Sequence, residues 1–313
     1  MINKPINLMK TKSCNFALMG AAGYIAPRHL KAIKETGNNL VAALDPYDCV
    51  GIMDSFFPKA DFFTEPERFD RHLDKLRRKN EGSQIQYVSI CSPNYLHDAH
   101  IRLALRNGAN AICEKPIVLN PWNLDALQEI EEESGKKVYT ILQLRHHPSI
   151  VQLKKMVDEG PQDKIYNVDL TYFTSRGKWY FVSWKGNIEK SGGVATNIGV
   201  HFFDMLGWIF GKVVDLHVTL SKPDKVSGYL ELEKARVKWK LSLDVNDIPG
   251  DIMAKGQSTY RSIQIEGKEI EFSTGFTGLH TVAYENILAG KGFGLEDARN
   301  SIDIVHKIRN IKG

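Results

Sequence analysis

Lys115 stands in the run Cys113-Glu114-Lys115-Pro116, at the end of an apolar stretch and well past a glycine-rich turn. A lysine placed there is costly to bury without a partner. It can donate to a substrate hydroxyl and stabilise developing alkoxide charge; a salt bridge to Glu114 is the structural alternative. Asn197 and His201 lie four residues apart in Gly192-Gly193-Val194-Ala195-Thr196-Asn197-Ile198-Gly199-Val200-His201. On a helix they share one face. Imidazole takes a proton near neutral pH. An amide cannot, so Asn197 only orients. Phe202, Phe203 and Leu206 are packing residues, which leaves a core histidine as the alternative for His201. An ammonium, an amide and an imidazole converging on a nicotinamide suggest the oxidation of an alcohol.

The glycine turn supplies the cofactor side. Gly20-Ala21-Ala22-Gly23-Tyr24-Ile25 follows an apolar strand and precedes a helix, which is the context a dinucleotide fingerprint needs. Gly20, Ala22, Gly23, Tyr24 and Ile25 are assigned to the cofactor, since a helix N-terminus offers unpaired N–H groups and partial positive charge to a pyrophosphate. Laid over residues 21–26, the fingerprint has alanine at its first glycine position, with Gly20 one step early. An ordinary strand-to-helix turn would look similar. Asp45 ends the second strand, where an acid accepts hydrogen bonds from the adenosine ribose. It would repel a 2′-phosphate, and Pro46, Tyr47 and Asp48 offer no cation to hold one. NAD is therefore favoured over NADP, with a turn or cap carboxylate as the alternative for Asp45. Ser92, Pro93, Asn94 and His97 follow the fourth strand at the carboxyl edge, where open α/β sheets bind ligands. They join the cofactor set with Glu114, Lys115 and Gln143. His97 could instead cap or pack on the next helix.

These groups need a rigid frame. Apolar strands are expected at residues 15–19, 40–44, 60–63, 86–91, 110–113 and 137–143. Helices are expected at 25–36, 66–79, from the Pro93-Asn94 turn to 107, and 122–134. Strand and helix alternate and the strands are continuously apolar, which is the signature of a parallel sheet covered on both faces. Beyond it, residues 166–172 and 237–243 alternate strictly, and 263–270 read as a hairpin turning at Glu266-Gly267. Alternation implies an antiparallel sheet with one open face. Helices near 279–288 and 295–308 close the chain. The fold class is α/β: a Rossmann-type parallel-sheet domain over 1–144, then an α+β domain with an open, mostly antiparallel sheet over 145–313, the boundary lying near Arg145.

Composition narrows the partners. The chain has 313 residues, 42% hydrophobic and 25% charged, long enough to bury large cores without disulfides or metals. Its net charge of +4, from 41 basic and 37 acidic residues, is too balanced to imply nucleic acid or membrane partners. Cys14, Cys49, Cys91 and Cys113 form no C-x-x-C pair and no zinc-spaced cluster with histidine. No metal is expected, and Cys91 and Cys113 read as buried thiols suited to a reducing compartment. The first dozen residues are polar, without an apolar core of signal-peptide length, and read as a loose lead-in. No apolar run reaches membrane-spanning length. The expectation is a cytoplasmic protein.

Glycine turn, acid after strand two, Pro-Asn turn, Glu-Lys-Pro and a histidine four residues after an amide resemble, in order and spacing, the Gfo/Idh/MocA oxidoreductases. The likeness extends over nearly the full length. Many members carry aspartate where this chain has Asn197, which places the base role on His201. Within that family, residues 21–29, 90–97, 142–147, 175–180, 183–186 and 194–201 look most like the bacterial UDP-N-acetylglucosaminuronate 3-dehydrogenases. The resemblance implies NAD-dependent oxidation of the sugar C3 hydroxyl in the synthesis of surface polysaccharide (O-antigen) sugars, and a homotetramer packed through the open sheets. It also implies 2-oxoglutarate as a candidate NADH-recycling acceptor. A UDP-uronate carries a diphosphate and a carboxylate. Arg145, Arg176, Lys178 and Lys185, interleaved with Trp179, Tyr180 and Trp184, suit those anions and a uracil or sugar face. With Asn197 and His201 they form the expected substrate set; a solvated basic surface is the alternative. Another sugar or cyclitol dehydrogenase of the family, or a non-catalytic NAD-binding sensor of a sugar nucleotide, remain the competing readings.

Overall fold

In the computed structural model, which describes residues 13–79, 82–270 and 278–311, the first sheet forms from the predicted apolar runs. Its strands are β1 (Asn15–Met19), β2 (Asn39–Leu44), β3 (Asp61–Phe63), β4 (Tyr87–Ile90), β5 (Asn110–Cys113) and β6 (Val138–Thr140). They pair in parallel in the order β3-β2-β1-β4-β5-β6. Phe16 and Leu18 of β1 feed one core, while Ala17 and Met19 feed the other, as a strand buried on both faces requires. Helices α1 (Ala26–Glu35), α2 (Pro66–Lys79), α3 (His97–Arg106) and α4 (Pro121–Ser134) provide the crossovers. The strand order reverses between β1 and β4, so the ligand crevice of such a sheet opens beyond their carboxyl ends.

The second sheet follows α5 (Pro148–Glu159). It contains β7 (Tyr166–Thr174), β8 (Val213–Ser221), β9 (Lys225–Leu232), β10 (Ala235–Ser242), β11 (Thr259–Ile265) and β12 (Lys268–Glu269), in the order β12-β11-β7-β10-β9-β8. Only β7 and β10 pair in parallel; the other neighbours are antiparallel. Val168, Leu170, Val237, Trp239 and Leu241 face inward against α5 and α8 (Val200–Phe210), and Trp239 meets Phe203 edge-on at 5.3 Å. The other face is polar: Lys238 stands between Asp169 and Tyr229 in the register. The hairpin turns where expected, with Glu266 at φ 51° and Gly267 at φ 73°, both left-handed as a two-residue turn demands.

Several elements are absent from the sequence pattern. β8 is exposed or half-buried along its length, so it shows no alternation. β9 contains Gly228, where a Cβ would strike the His217 carbonyl and the Trp239 ring; the glycine reads as a turn but lets the sheet pass over tryptophan. Helix α5 and the short helices α6 (Lys178–Val182), α7 (Ile188–Ser191) and α9 (Gly250–Ala254) were likewise not anticipated. The strand expected over 137–143 is shorter and turns into a 3₁₀ segment, Gln143–His146.

Both closing helices form, as α10 (Leu279–Leu288) and α11 (Leu295–Asn310). Their packing crosses the boundary near Arg145. Ala283, Tyr284 and Ile287 of α10 join the core beside Phe16 and Leu30 of the first sheet. Helix α11 bridges: Leu295, Ala298 and Ile302 enter a first-sheet core, and Ile304, Val305 and Ile308 enter the second. Among the described residues no helix is long and apolar enough to cross a membrane. The polar lead-in expected at the N-terminus lies outside the described residues.

Candidate active site

The glycine turn is tight because two strand exits touch. Gly20 has φ +89°, and a Cβ there would lie 2.6 Å from both Cys91 C and Ser92 N. The glycine that geometry demands is thus Gly20, one step before the fingerprint register. Gly20 and Ala21 donate to the Leu44 carbonyl at 2.8 and 3.2 Å. The Ala22 amide donates to Asp45 Oδ2, and the Tyr47 amide to Asp45 Oδ1, both at 2.9 Å. Asp45 therefore fills its alternative role as a turn carboxylate. Each oxygen keeps a further lone pair, so ribose hydroxyls can still bind. The amides of Tyr24 and Ile25 find no partner among the described residues, and α1 begins without a side-chain cap. Bare amides at a helix start fit a pyrophosphate. Gln143 Oε1 is buried without a hydrogen bond, which leaves an acceptor for a ligand donor.

Past β5 the chain enters Glu114-Lys115-Pro116, and the Lys115–Pro116 peptide is cis. Glu114 is not the ion-pair partner of Lys115. Its Oε1 accepts from His29 Nε2 and His280 Nε2, each at 2.9 Å, and its Oε2 faces the Lys115 amide at 3.3 Å. The carboxylate assigned to the cofactor is committed inside the fold. Lys115 Nζ lies 3.4 Å from the Asn197 carbonyl. Burial lowers its pKa to about 8, with Lys185 and Arg28 adding to the fall and Glu114 opposing it.

The segment Ala195–Gly199 winds as a π-helix before α8 begins at Val200, so Asn197 and His201 sit on a wider turn than an α-helix gives. Such turns gather at functional sites. Asn197 Nδ2 donates to the Tyr180 hydroxyl at 2.6 Å. Asn94 Nδ2 donates to the Ser191 carbonyl at 2.9 Å and lies 3.4 Å from Asn197 Oδ1, so its amide braces the segment that carries Asn197. Burial and the Lys115 charge hold His201 well below the ordinary histidine range. Its ring is neutral at pH 7 and can accept a proton.

Two assignments are corrected. Arg145 is not available to a substrate anion. It is buried, with Nε and Nη2 on Asp204 at 3.1 and 2.7 Å and Nη1 on Asp297 at 3.1 Å. A guanidinium fork suited to carboxylate or phosphate suggests a ligand role from sequence; the pairing acids lie on α8 and α11, far along the chain. His97 is also enclosed. Its Nδ1 lies 2.6 Å from the Pro116 carbonyl and its Nε2 2.8 Å from that of Ser92, so the ring ties the two loops together. Ser92 Oγ meets His100 at 2.8 Å, and Pro93 precedes the turn that starts α3.

Of the remaining basic residues, Lys185 acts on the lysine. Lys185 stacks its ammonium 4.1 Å from the Trp184 ring, and burial and Arg176 lower its pKa. Arg176 holds its own loop through the Ser175 carbonyl at 3.1 Å. Tyr180 is buried, whereas Lys178 and Trp179 are exposed. Arg28, in the first turn of α1, and Arg261, on β11, add charge felt at Lys115 and His201. Neither was singled out from sequence, although a basic residue just after the glycine turn was a readable signal for Arg28. His280 and Tyr284 gave no local signal, because their partners are more than a hundred residues away.

Comparison with known proteins bears on this geometry. The profile of the oxidoreductase family GFO_IDH_MocA, NAD-binding Rossmann fold, matches residues 14–142, and that of its C-terminal alpha/beta domain matches 154–269. The WlbA (WbpB) dehydrogenase from Thermus thermophilus is 52% identical over 96% of this chain and 96% of its own, with TM-score 0.92; that structure holds NAD and alpha-ketoglutarate. A second structure of it holds NAD and UDP-GlcNAcA and superposes with TM-score 0.91 at 52% identity, covering 96% of this chain and 95% of that one. Among curated proteins, 2,7-anhydro-N-acetylneuraminate hydratase of Mediterraneibacter gnavus is 27% identical over 64% of this chain and 50% of its own length. Inositol 2-dehydrogenase of Rhizobium meliloti is 27% identical over 63% of this chain and 55% of its own. The chain thus spans about half the length of these two curated relatives.

Proposed function

The chain belongs to the Gfo/Idh/MocA oxidoreductases and has their NAD-binding Rossmann domain, and from that premise we propose that it oxidises the C3 hydroxyl of UDP-N-acetylglucosaminuronate. The carrying observation is a chain of cations about a neutral imidazole: Lys115 and Arg261 act on His201, Lys185 and Arg28 act on Lys115, and Arg176 acts on Lys185. A sugar nucleotide negatively charged at both its diphosphate and its carboxylate suits that field, and the Thermus thermophilus dehydrogenase holds UDP-GlcNAcA. NAD, when bound, accepts the hydride from C3. Lys115 donates a hydrogen bond to the C3 oxygen and stabilises its growing negative charge. His201 takes the hydroxyl proton. Asn197 and Tyr180 hold the substrate edge opposite. The free amides of Tyr24 and Ile25 would bind the pyrophosphate on a turn shaped by Gly20, Ala22 and Gly23, Asp45 would hold the ribose, and Ser92, Pro93 and Gln143 would line the nicotinamide side.

The same cationic site accommodates 2-oxoglutarate, a dianion that can take the hydride back and regenerate NAD; alpha-ketoglutarate in the Thermus thermophilus structure supports this. The open face of the second sheet joins four copies into a homotetramer. The reaction lies in the cytoplasm, in the synthesis of surface polysaccharide sugars.

The test is kcat/KM for the UDP-uronate, for UDP-N-acetylglucosamine and for free N-acetylglucosaminuronate. Losing a charge-assisted hydrogen bond costs about 1.5–3 kcal/mol, so the nucleotide with the uncharged sugar should be worse by roughly tenfold to a hundredfold. Comparable values for the two nucleotides would exclude carboxylate recognition. Activity on the free sugar, or better activity on inositol, would overturn the nucleotide assignment in favour of another polyol dehydrogenase.

A further inference from the structure

Behind Lys115 lies a closed polar network in an otherwise apolar core. Ser89 of β4, His29 of α1, Glu114 and His280 and Tyr284 of α10 are all buried. Tyr284 OH lies 2.6 Å from Ser89 Oγ and 2.7 Å from His29 Nδ1. Chemistry fixes the direction of the bonds. A carboxylate only accepts, so His29 Nε2 and His280 Nε2 both carry the hydrogen. Burial lowers the pKa of His29, so its ring is neutral and Nδ1 is an acceptor. Tyr284 must then donate to it, and Ser89 donates to Tyr284. The two histidine N–H groups hold Glu114 well below the ordinary carboxylate range despite its burial.

The three ligand atoms of His29, Glu114 and His280 lie within 4.8 Å of one another, a spacing that would also admit a cation. The hydrogen bonds already satisfy those atoms, and the neighbouring Lys115 ammonium opposes a second positive charge. The cluster is better suited to holding one negative charge in place.

We infer that His29 and His280 are positioning residues for Lys115: they fix the Glu114 carboxylate against the back of the lysine loop, so that the helix opening the dinucleotide turn and the reactive lysine are set by one buried network. The inference rests on Lys115 standing at the reacting centre. It gives Glu114 a role that a cofactor contact does not. The charged and titratable groups facing Lys115 are Glu114 after β5, Lys185 before α7, Arg28 on α1, His97 on α3 and His201 on α8. Glu114 is the sole anion of that set, so the network holds the one negative charge that opposes the cationic neighbours of the ammonium.

The experiment is competitive acetylation of Lys115 across pH, read by mass spectrometry on the protein without cofactor or substrate, alongside kcat. The wild-type midpoint is expected near 8. Glu114→Gln keeps the shape and removes the charge, so the midpoint should move to lower pH. His29→Leu and His280→Leu should move it the same way, because a buried carboxyl deprived of donors takes up a proton. His29→Gln restores an N–H and should bring the midpoint back toward wild type. The kcat of the Leu variants should fall by about tenfold to a hundredfold, the scale of a small misplacement at the reacting atoms. If kcat falls while the midpoint stays fixed in Glu114→Gln and the Leu variants, the network is merely structural and the inference is overturned. Should a Leu variant fail to fold, Glu114→Gln still decides. A Lys115→Met enzyme with undiminished turnover would instead overturn the reactive role of the lysine, and the labelling midpoints would still judge the network.

Discussion

Replacing Arg145 with Met should unfold the protein more readily without weakening substrate recognition. The guanidinium forks onto Asp204 at 3.1 and 2.7 Å, and Asp204 has 3% of its side chain exposed. Removing one partner of a buried pair leaves an uncompensated charge, at about 3–5 kcal/mol. Asp297 is 41% exposed; it can rehydrate, so its lost contact adds little. Met retains most of the packing against Phe293 and Trp208, whose rings lie 4.8 and 5.9 Å from the guanidinium carbon. For a chain of this size the loss corresponds to a Tm fall on the order of 5–8 °C. Burial already raises the Asp204 pKa, and loss of the guanidinium raises it further. A carboxyl whose folded pKa is raised destabilises the fold as pH rises through that pKa, so the deficit should narrow at acid pH. Thermal unfolding of Arg145→Met and of Arg145→Met/Asp204→Leu at pH 5 and pH 7.5 makes the measurement, the double variant recovering most of the loss. A variant with unchanged Tm and a raised KM for the uronate would refute the reasoning and return Arg145 to the substrate.

Four further outcomes can be checked. Asp45→Ala should relax the preference for NAD over NADP in paired Kd measurements, with some loss of stability, because Asp45 also holds the Ala22 and Tyr47 amides; equal binding of both cofactors by the unmodified chain would sink the ribose role. His201→Asn should lower kcat by roughly 100- to 10,000-fold with NAD affinity little changed. In the unmodified enzyme kcat/KM should fall as pH rises past about 8, where the Lys115 ammonium is lost; a rate that instead climbs through that range would make the neutral lysine the base. Gly20→Ala should weaken NAD binding and stability together, since it adds left-handed strain of about 1–2 kcal/mol and drives a Cβ into the Cys91–Ser92 backbone. Calorimetric titration with NAD would show it, and an unchanged Kd would count against the tight contact of the two strand exits.

The local patterns in the sequence already specified the first sheet. Its central strands are buried on both faces, so they appear as apolar runs between turns, while edge strand β3 is partly exposed, and helix and strand alternate in chain order as they do in space. The hairpin at Glu266-Gly267 was legible for the same reason: two left-handed residues between alternating strands permit one turn. Lys115, Asn197, His201 and Asp45 stand out in the sequence as candidates by residue type and by position after a strand or within four residues, and the fold sets Lys115 Nζ 3.4 Å from the Asn197 carbonyl. Long-range contacts decided the rest. Arg145 is a lone arginine until α8 and α11 bring Asp204 and Asp297 against it. Glu114 is a neighbour of Lys115 in sequence, yet His29 and His280 turn it inward. Helices α10 and α11 follow the second sheet in the chain but bury apolar faces on the first. A buried charge takes whichever partner the fold presents, and that partner need not be near in sequence.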